Sequence, residues 1–250
     1  NKKVKNFNFN IDLETLAKIS WIIVRAVLIL GISYIILYPL FTKISSAIMA
    51  EQDLYDRTVR WIPRHYTFNN FKIAWGNMEF PIAFRNTLLL TLISSIFQVI
   101  SCTLVGYGLA RFSFKGQKLI FALVIFMLLV PPQVIMIPVF LNFRFFDLFG
   151  LLPKGGINFI GTYWPFILLS ATATSLRNGL FIYVMRQFFK GMPRALEEAA
   201  YVDGAGTLKT FFRIMIPGAI PAMVIVFLFA FVWQWNDYFL TSTYLNSSQV

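Results

Sequence analysis

Residues 198–240 read EAAYVDGAGTLKTFFRIMIPGAIPAMVIVFLFAFVWQWNDYFL, a polar, glycine-bearing stretch that runs straight into a long apolar one. The apolar part decides the fold class. From Gly218 to Leu240 there is one charged residue, Asp237, and the run is long enough to cross the roughly 30 Å hydrocarbon layer of a bilayer as a helix. The polar part must face water. Ala199 and Ala200 offer a smooth helical surface, Gly204 and Gly206 permit a tight turn, and Pro217 suits the first turn of the next segment.

The rest of the chain agrees. Hydrophobic residues make up 58% of the 250 and charged residues 13%, against about 25% charged in a soluble domain. A globule of this size cannot hide so much apolar surface from water. The predicted architecture is therefore all-α, a polytopic helical membrane protein forming one membrane domain over 1–250. Five spans are expected, at about 21–42, 83–110, 119–142, 163–189 and 218–240, with a polar loop at 190–217. Pro131, Pro132 and Pro138 should break or kink the third span, and Arg177-Asn178-Gly179 interrupts the fourth.

Before the first span, residues 1–20 form a basic, partly amphipathic lead-in with Ile11, Leu13, Leu16 and Ile19 on one helical face, and no cleavable signal precedes it. The sequence starts at Asn1, as a chain beginning inside a longer protein would. A polar excursion at 43–80 holds Asp53, Asp56, Arg57, Arg60, Arg64 and the single histidine, His65. A second, at 143–162, holds Pro153, Gly155 and Gly156. Cys102 has no second cysteine to pair with and reads as a small packing residue.

The formal charge is +11. In a soluble chain that would suggest nucleic acid; here the basic residues crowd short loops beside apolar segments, where they set orientation, and no nucleic-acid partner is expected. The side holding the N-terminus carries thirteen Lys and Arg, the opposite side eight, and Arg177 falls within a span. The excess predicts a cytoplasmic N-terminus and a cytoplasmic 190–217 loop. In that loop, Arg194 to Val202 has strong helix formers and should stop near Gly204. Thr207 is the predicted N-cap of a second short helix, Leu208–Ile216, before the chain re-enters the membrane at Pro217.

The spacing of this loop carries a resemblance. Glu198-Ala199-Ala200, three residues, Gly204, nine residues, Ile214, then Ile216-Pro217 is similar to the signature of the permease subunits of bacterial ATP-binding-cassette importers. One position departs: Ile216 stands where the family usually has Leu. Residues 86–121 (NTLLLTLISSIFQVISCTLVGYGLARFSFKGQKLIF), FIYVMRQFFKGMPRALEEAAYVDGAG and FVWQWNDYFL also resemble the carbohydrate branch, and the similarity covers about Phe68 to Leu240.

The resemblance implies the type I importer transmembrane fold. It implies a coupling helix in the loop, with Glu198, Ala199, Ala200, Asp203 and Gly204 engaging a cytoplasmic ATPase. It also implies a second related permease, two ATPase subunits that bind ATP and Mg, an external solute-binding protein, a bacterial inner-membrane location, and a sixth span after Val250. No cofactor is expected in this chain itself. FKGQKL (114–119) lacks the spacing of a phosphate-binding loop, so ATP must be handled by another polypeptide.

A translocation path needs polar groups inside spans. Arg177 and Asn178 are candidates, since a charge at mid-bilayer costs about 2.5–3.5 kcal/mol on insertion scales and faces protein or water; the alternative is an Arg177 near a span end that snorkels to the interface. Trp233, Gln234, Trp235 and Asn236, followed by Asp237, combine rings with hydrogen-bonding groups, as sugar recognition requires. An interfacial aromatic belt is the competing account. Three other classes fit the composition, and one of them, a plain structural or anchoring subunit, leaves the loop unexplained. An ion-driven secondary transporter needs no partner ATPase. A membrane enzyme needs a catalytic cluster, yet His65 stands beside Arg64 and Tyr66 with no evident metal partner and reads as a solvated or interface histidine.

Overall fold

A computed structural model describes residues 13–147, 156–175 and 177–245. The lysines at 2, 3 and 5, the Pro153–Gly155 turn and residues 246–250 lie outside the described residues. Among those described, the chain is helical, with only isolated bridges at Met49–Tyr66 and Phe146–Ile157. It divides into two compact units, 1–80 and 81–250.

In the first unit, helix α1 (Leu13–Ala47) is apolar on all sides, and its most apolar window has no buried residue. A helix hydrophobic all round needs lipid or a protein interior. Short helices α2 (Glu51–Tyr55) and α3 (Asn69–Asn77) follow. The end of α1 leaves carbonyls without intrahelical partners; the Asn70 side-chain amide donates to the carbonyls of Ala47 (3.1 Å) and Met49 (2.8 Å).

Asp53, 3% exposed, organises the loop beyond. Its Oδ2 accepts the backbone N–H groups of Arg64 and His65, both at 2.7 Å, and its Oδ1 lies 3.0 Å from His65 Nδ1. His65 is thus held by a carboxylate twelve residues earlier in the chain, a pairing that spacing alone does not announce. The imidazole contact first, then the backbone N–H of His65, hold the Asp53 carboxyl below its ordinary value of 3.8.

The second unit opens with α4 (Phe80–Arg111). One face of it is small or polar and buried: Thr91, Ser94, Gln98, Ser101, Cys102 and Gly106 recur at helical spacing. Small residues let membrane helices approach closely. Helices α5 (Gln117–Phe126) and α6 (Pro132–Arg144) come next, then α7 (Trp164–Ala171) and α8 (Asn178–Gly191). Two of the expected spans are therefore broken helices. The third parts before Pro132, which takes a first-turn position where its missing N–H costs nothing. The fourth parts at 172–177, where Ala173 adopts φ 58° and the Leu169 carbonyl accepts the N–H groups of Thr174 and Ser175. Only Leu16–Ala47, Phe80–Arg111 and Thr207–Trp235 are continuous helices long and apolar enough to cross a membrane among the described residues.

Helix α8 sits at the middle of the packing. A Cβ placed on Gly106 of α4 would lie 2.7 Å from Met185 Cβ, and one placed on Gly179 would lie 2.7 Å from the Val124 carbonyl of α5. On its third side Phe181 stacks on Trp233 at 5.6 Å. The exposed helix α9 (Ala195–Val202) follows α8.

The chain then departs from the sequence expectation. Gly206, not Thr207, holds the N-cap position. Helix α10 (Thr207–Thr210) passes through a π-helical segment, Phe211–Met215, directly into α11 (Ile216–Trp235). There is no separate second loop helix ending at Pro217. The wide turn, in which Ile216 N–H bonds to the Phe211 carbonyl, carries the ladder up to Pro217, which sits in the first turn of α11. The buried residues of α11, Ala219, Ala222, Val226 and Ala230, make a narrow stripe of small side chains. Short α12 (Phe239–Tyr244) closes the described chain; Asp237 Oδ2 accepts the Thr241 N–H at 3.0 Å.

Two outcomes are expected. Gly106→Ala should lose roughly 1–3 kcal/mol through overpacking at α8, whereas Gly108→Ala, with nothing within 4 Å, should be neutral or stabilising; unfolding in detergent followed by circular dichroism distinguishes them. For Asp53 the folded-state pKa is depressed, so its stabilisation is complete above the ordinary carboxylate value and fades as pH falls through and below 3.8. Amide protection at Ala50 and Thr67 should drop on acidification to about pH 3, and Asp53→Asn should remove that protection at neutral pH.

Candidate functional site

Two features gather the residues that the sequence singled out: the exposed loop around α9 and a polar cavity between the broken helices.

Helix α9 forms because ALEEAAYV is rich in good helix formers. It ends in a left-handed glycine cap. Gly204 has φ 76°, its N–H bonds to the Tyr201 carbonyl (3.0 Å), and the Ala205 N–H reaches back to Ala200 (2.9 Å). This paired arrangement satisfies the last carbonyls of the helix and needs a residue without a Cβ penalty at 204.

The two neighbouring glutamates of α9 face opposite ways. Glu198 is exposed, together with Ala199, Asp203 and Gly204, while Ala200 is buried. Glu197 points inward, its side chain 10% exposed. One oxygen accepts the Tyr107 hydroxyl at 2.8 Å and the other lies 3.1 Å from Arg111 Nε. Arg111 also donates through Nη2 to the Met192 carbonyl at 2.8 Å. The Tyr107 ring is set by Phe112, Phe189 and Phe211, with centroids 4.6–5.5 Å away. Glu197 thus fastens α9 to the end of α4 and leaves Glu198 to the outside. The sequence reading passed over Glu197, because spacing marks a motif but does not say which side of a short helix turns inward.

The cavity has a volume of about 460 Å³. Arg177, Trp233, Gln234 and Asn236 line it, joined by Gln98 and Gln133. The Arg177 guanidinium lies 4.3 Å from the Trp233 ring centre, a cation–π contact. It reaches the cavity from the break between α7 and α8. Gln234 has a buried Nε2 with no hydrogen-bond partner among the described residues, while Asn236 donates to the Val232 carbonyl at 2.7 Å. Trp235 lies elsewhere, stacked on Phe231 and lining a smaller cavity of about 140 Å³ with Asn86 and Tyr163. Asn178 does not reach the large cavity either. It is completely buried, and its carbonyl accepts the Cys102 thiol at 3.8 Å. The first residue of α8 turns into the protein where the residue before it turns out.

Gln98 and Gln133 were missed, although each is a lone amide in an apolar run and could have been flagged on that ground. Among the described residues no group of three or more His, Cys, Asp and Glu side chains is placed to hold a metal ion.

The buried pairing at α9 predicts a contrast between the two glutamates. Glu197→Ala should cost about 3 kcal/mol or more by stranding Arg111, while Glu198→Ala should leave stability within about 0.5 kcal/mol. Thermal unfolding of the purified proteins in detergent would show it.

The chain is 29% identical over 225 residues to the diacetylchitobiose uptake system permease protein NgcG of Streptomyces coelicolor, covering 90% of this chain and 69% of that one. It is 30% identical over 214 residues to the melibiose/raffinose/stachyose import permease protein MelC of Bacillus subtilis, covering 85% and 71%. A crystal structure of a bacterial ABC transporter involved in the import of the acidic polysaccharide alginate contains a chain that superposes with a TM-score of 0.71 at 24% identity, over 93% of this chain and 77% of that one, and so shares the fold. The profile of the binding-protein-dependent transport system inner membrane components matches residues 102–250. The chain belongs to that family.

Proposed function

We propose that this chain is a permease subunit of an ATP-binding-cassette importer, forming half of the path for a sugar or oligosaccharide. One observation carries the reading: the exposed motif helix is clamped to α4 by Glu197, and the helix that leaves it runs unbroken to the cavity wall at Trp233 and Gln234. A loop built this way can receive force on one face and deliver it to the binding region.

In this reading Glu198, Ala199, Asp203 and Gly204 meet a separate ATPase subunit, and Ala200 is the packed side of the same helix. ATP and Mg are bound by two such subunits, and the chain has no ATPase site of its own. The excess of basic residues puts the loop and the N-terminus in the cytoplasm. A second, different permease completes the path, an external binding protein supplies the solute, and units 1–80 and 81–250 work as one membrane domain. The relatives named for chitobiose-type and raffinose-type sugars support the carbohydrate class.

The cavity chemistry agrees with a neutral polyol. Arg177 and Asp237 line the cavity with opposite charges, Gln98, Gln133, Gln234 and Asn236 add donors and acceptors, and Trp233 offers a face for C–H groups. Opening and closing would be a two-state change biased by nucleotide on one side and solute on the other.

The test uses the assembled transporter in liposomes. Gly204 has open space around it but a left-handed backbone, so Gly204→Asp adds a strain of about 1–2 kcal/mol at the turn to any effect on what docks there, and the exposed Glu198→Lys is the variant free of it. Glu198→Lys and Gly204→Asp should each cut sugar uptake and solute-stimulated ATP hydrolysis by about tenfold or more, as loss of 1.4 kcal/mol or more in coupling requires, while the subunits still co-purify or dissociate only at the ATPase. Unchanged uptake and hydrolysis, or uptake driven by an ion gradient without ATP, would overturn the proposal. In the same assay Trp233→Ala together with Arg177→Ala should raise the solute concentration needed for half-maximal uptake and leave basal hydrolysis in place.

A further inference from the structure

A second cavity, of about 350 Å³, opens where α4 ends, α5 begins and α8 ends, on the same side of the protein as α9. Arg111, Lys118, Arg186, Lys190 and Arg194 line it, and no carboxylate does. Excess charge of one sign over a bilayer face is ordinary; convergence of five cations on one concave site is not explained by that excess.

Two of these cations are committed to the fold. Arg186 Nε donates to the Leu109 carbonyl at 3.1 Å, and its guanidinium lies 3.7 Å from the Phe121 ring centre. Arg111 is bound to Glu197 and the Met192 carbonyl. Together with Gln117 Nε2, which donates to Leu109 at 2.9 Å, they neutralise the exposed carbonyl ends of α4 and α8. The other three have no such use. Lys118, Lys190 and Arg194 are exposed, and no carboxylate lies within ion-pair distance of them among the described residues. The field they leave is positive and unopposed. The first turn of α5 adds the positive end of its dipole.

We infer that this cavity is a binding site for a phosphate-bearing anion, with Lys118, Lys190 and Arg194 as its ligands. Three mobile donors on a preset Arg pair suit the three acceptor edges of a phosphate ester. The surroundings indicate the source. Phe112 and Phe114 on the linking turn and Leu119 and Ile120 on α5 are exposed apolar residues beside the opening. Such a rim fits the acyl chains of a phospholipid whose anionic head group enters the cavity. The site is separate from the sugar path; Lys190 and Arg194 belong to the loop that carries α9, but none of the residues proposed to meet the ATPase, Glu198, Ala199, Asp203 and Gly204, lines it.

Native mass spectrometry of the full-length permease, purified with its partner subunits, reads the binding directly. The probes are phosphatidylglycerol, phosphatidylcholine and inorganic phosphate. Selective retention of phosphatidylglycerol, weakened about tenfold or more in the Lys118→Ala/Lys190→Ala/Arg194→Ala variant and unchanged in Lys209→Ala, establishes the lipid source. Binding of inorganic phosphate with the same dependence on the three residues, but no preference for phosphatidylglycerol, establishes a soluble anion at the same site. Equal retention of both lipids with no phosphate binding, or retention that the triple variant leaves unchanged, overturns the inference. The three substituted side chains are exposed, and the co-purified partner subunits report that the variant has assembled.

Discussion

Close approach at α8 is the constraint on which the larger unit depends. Lipid tails are as apolar as leucine, so helices in a bilayer gain little from hydrophobic burial against one another and must associate through packing and hydrogen bonds. Gly106 and Gly179 bring the backbones of α4 and α5 onto α8 at distances that any side chain would forbid. With the helices that near, bonds become possible between them, such as Arg186 Nε of α8 to the Leu109 carbonyl of α4 at 3.1 Å. The breaks in the third and fourth spans rest on the same contacts, because irregular backbone at membrane depth survives only where protein or enclosed water covers it.

The breaks in turn create the site. An unbroken fourth span would have carried Arg177 on the side of a continuous helix. Ending α7 at Ala171 and restarting at Asn178 frees the intervening residues to turn, so that Arg177 meets Trp233 while its neighbour Asn178 goes into the core. A charge and an amide next to each other in sequence therefore have opposite environments, as do Glu197 and Glu198 on α9. In both pairs one residue is buried and the other is presented.

This pairing explains what the sequence could and could not disclose. Apolar run length marked the long apolar helices, and the 198–217 spacing marked an exposed stretch, because both are properties of the chain taken in order. The turn at Gly204 was legible for the same reason: helix formers followed by glycine have one common outcome. What failed was the sense of rotation. Whether Glu197 or Glu198 points inward depends on where Tyr107 and Arg111 stand, some ninety residues earlier, and one chain's spacing contains no record of that contact. The supposed second loop helix failed for a subtler reason. Pro217 looked like a boundary, yet a π turn just before it lets the ladder continue, and no local preference announces a π turn.

The continuity of the segment from Thr207 to Trp235 has a mechanical meaning. Its 29 residues make a rod of about 40 Å at 1.5 Å per residue. One tip lies in water beside the glycine turn; the other carries the indole and the amide that face the polar chamber. Bonded helices resist compression, so an axial shift imposed at the wet tip travels to the chamber wall with little loss. The π turn at Phe211–Met215 is where the regular ladder widens, so a rod of this build bends there before it bends elsewhere.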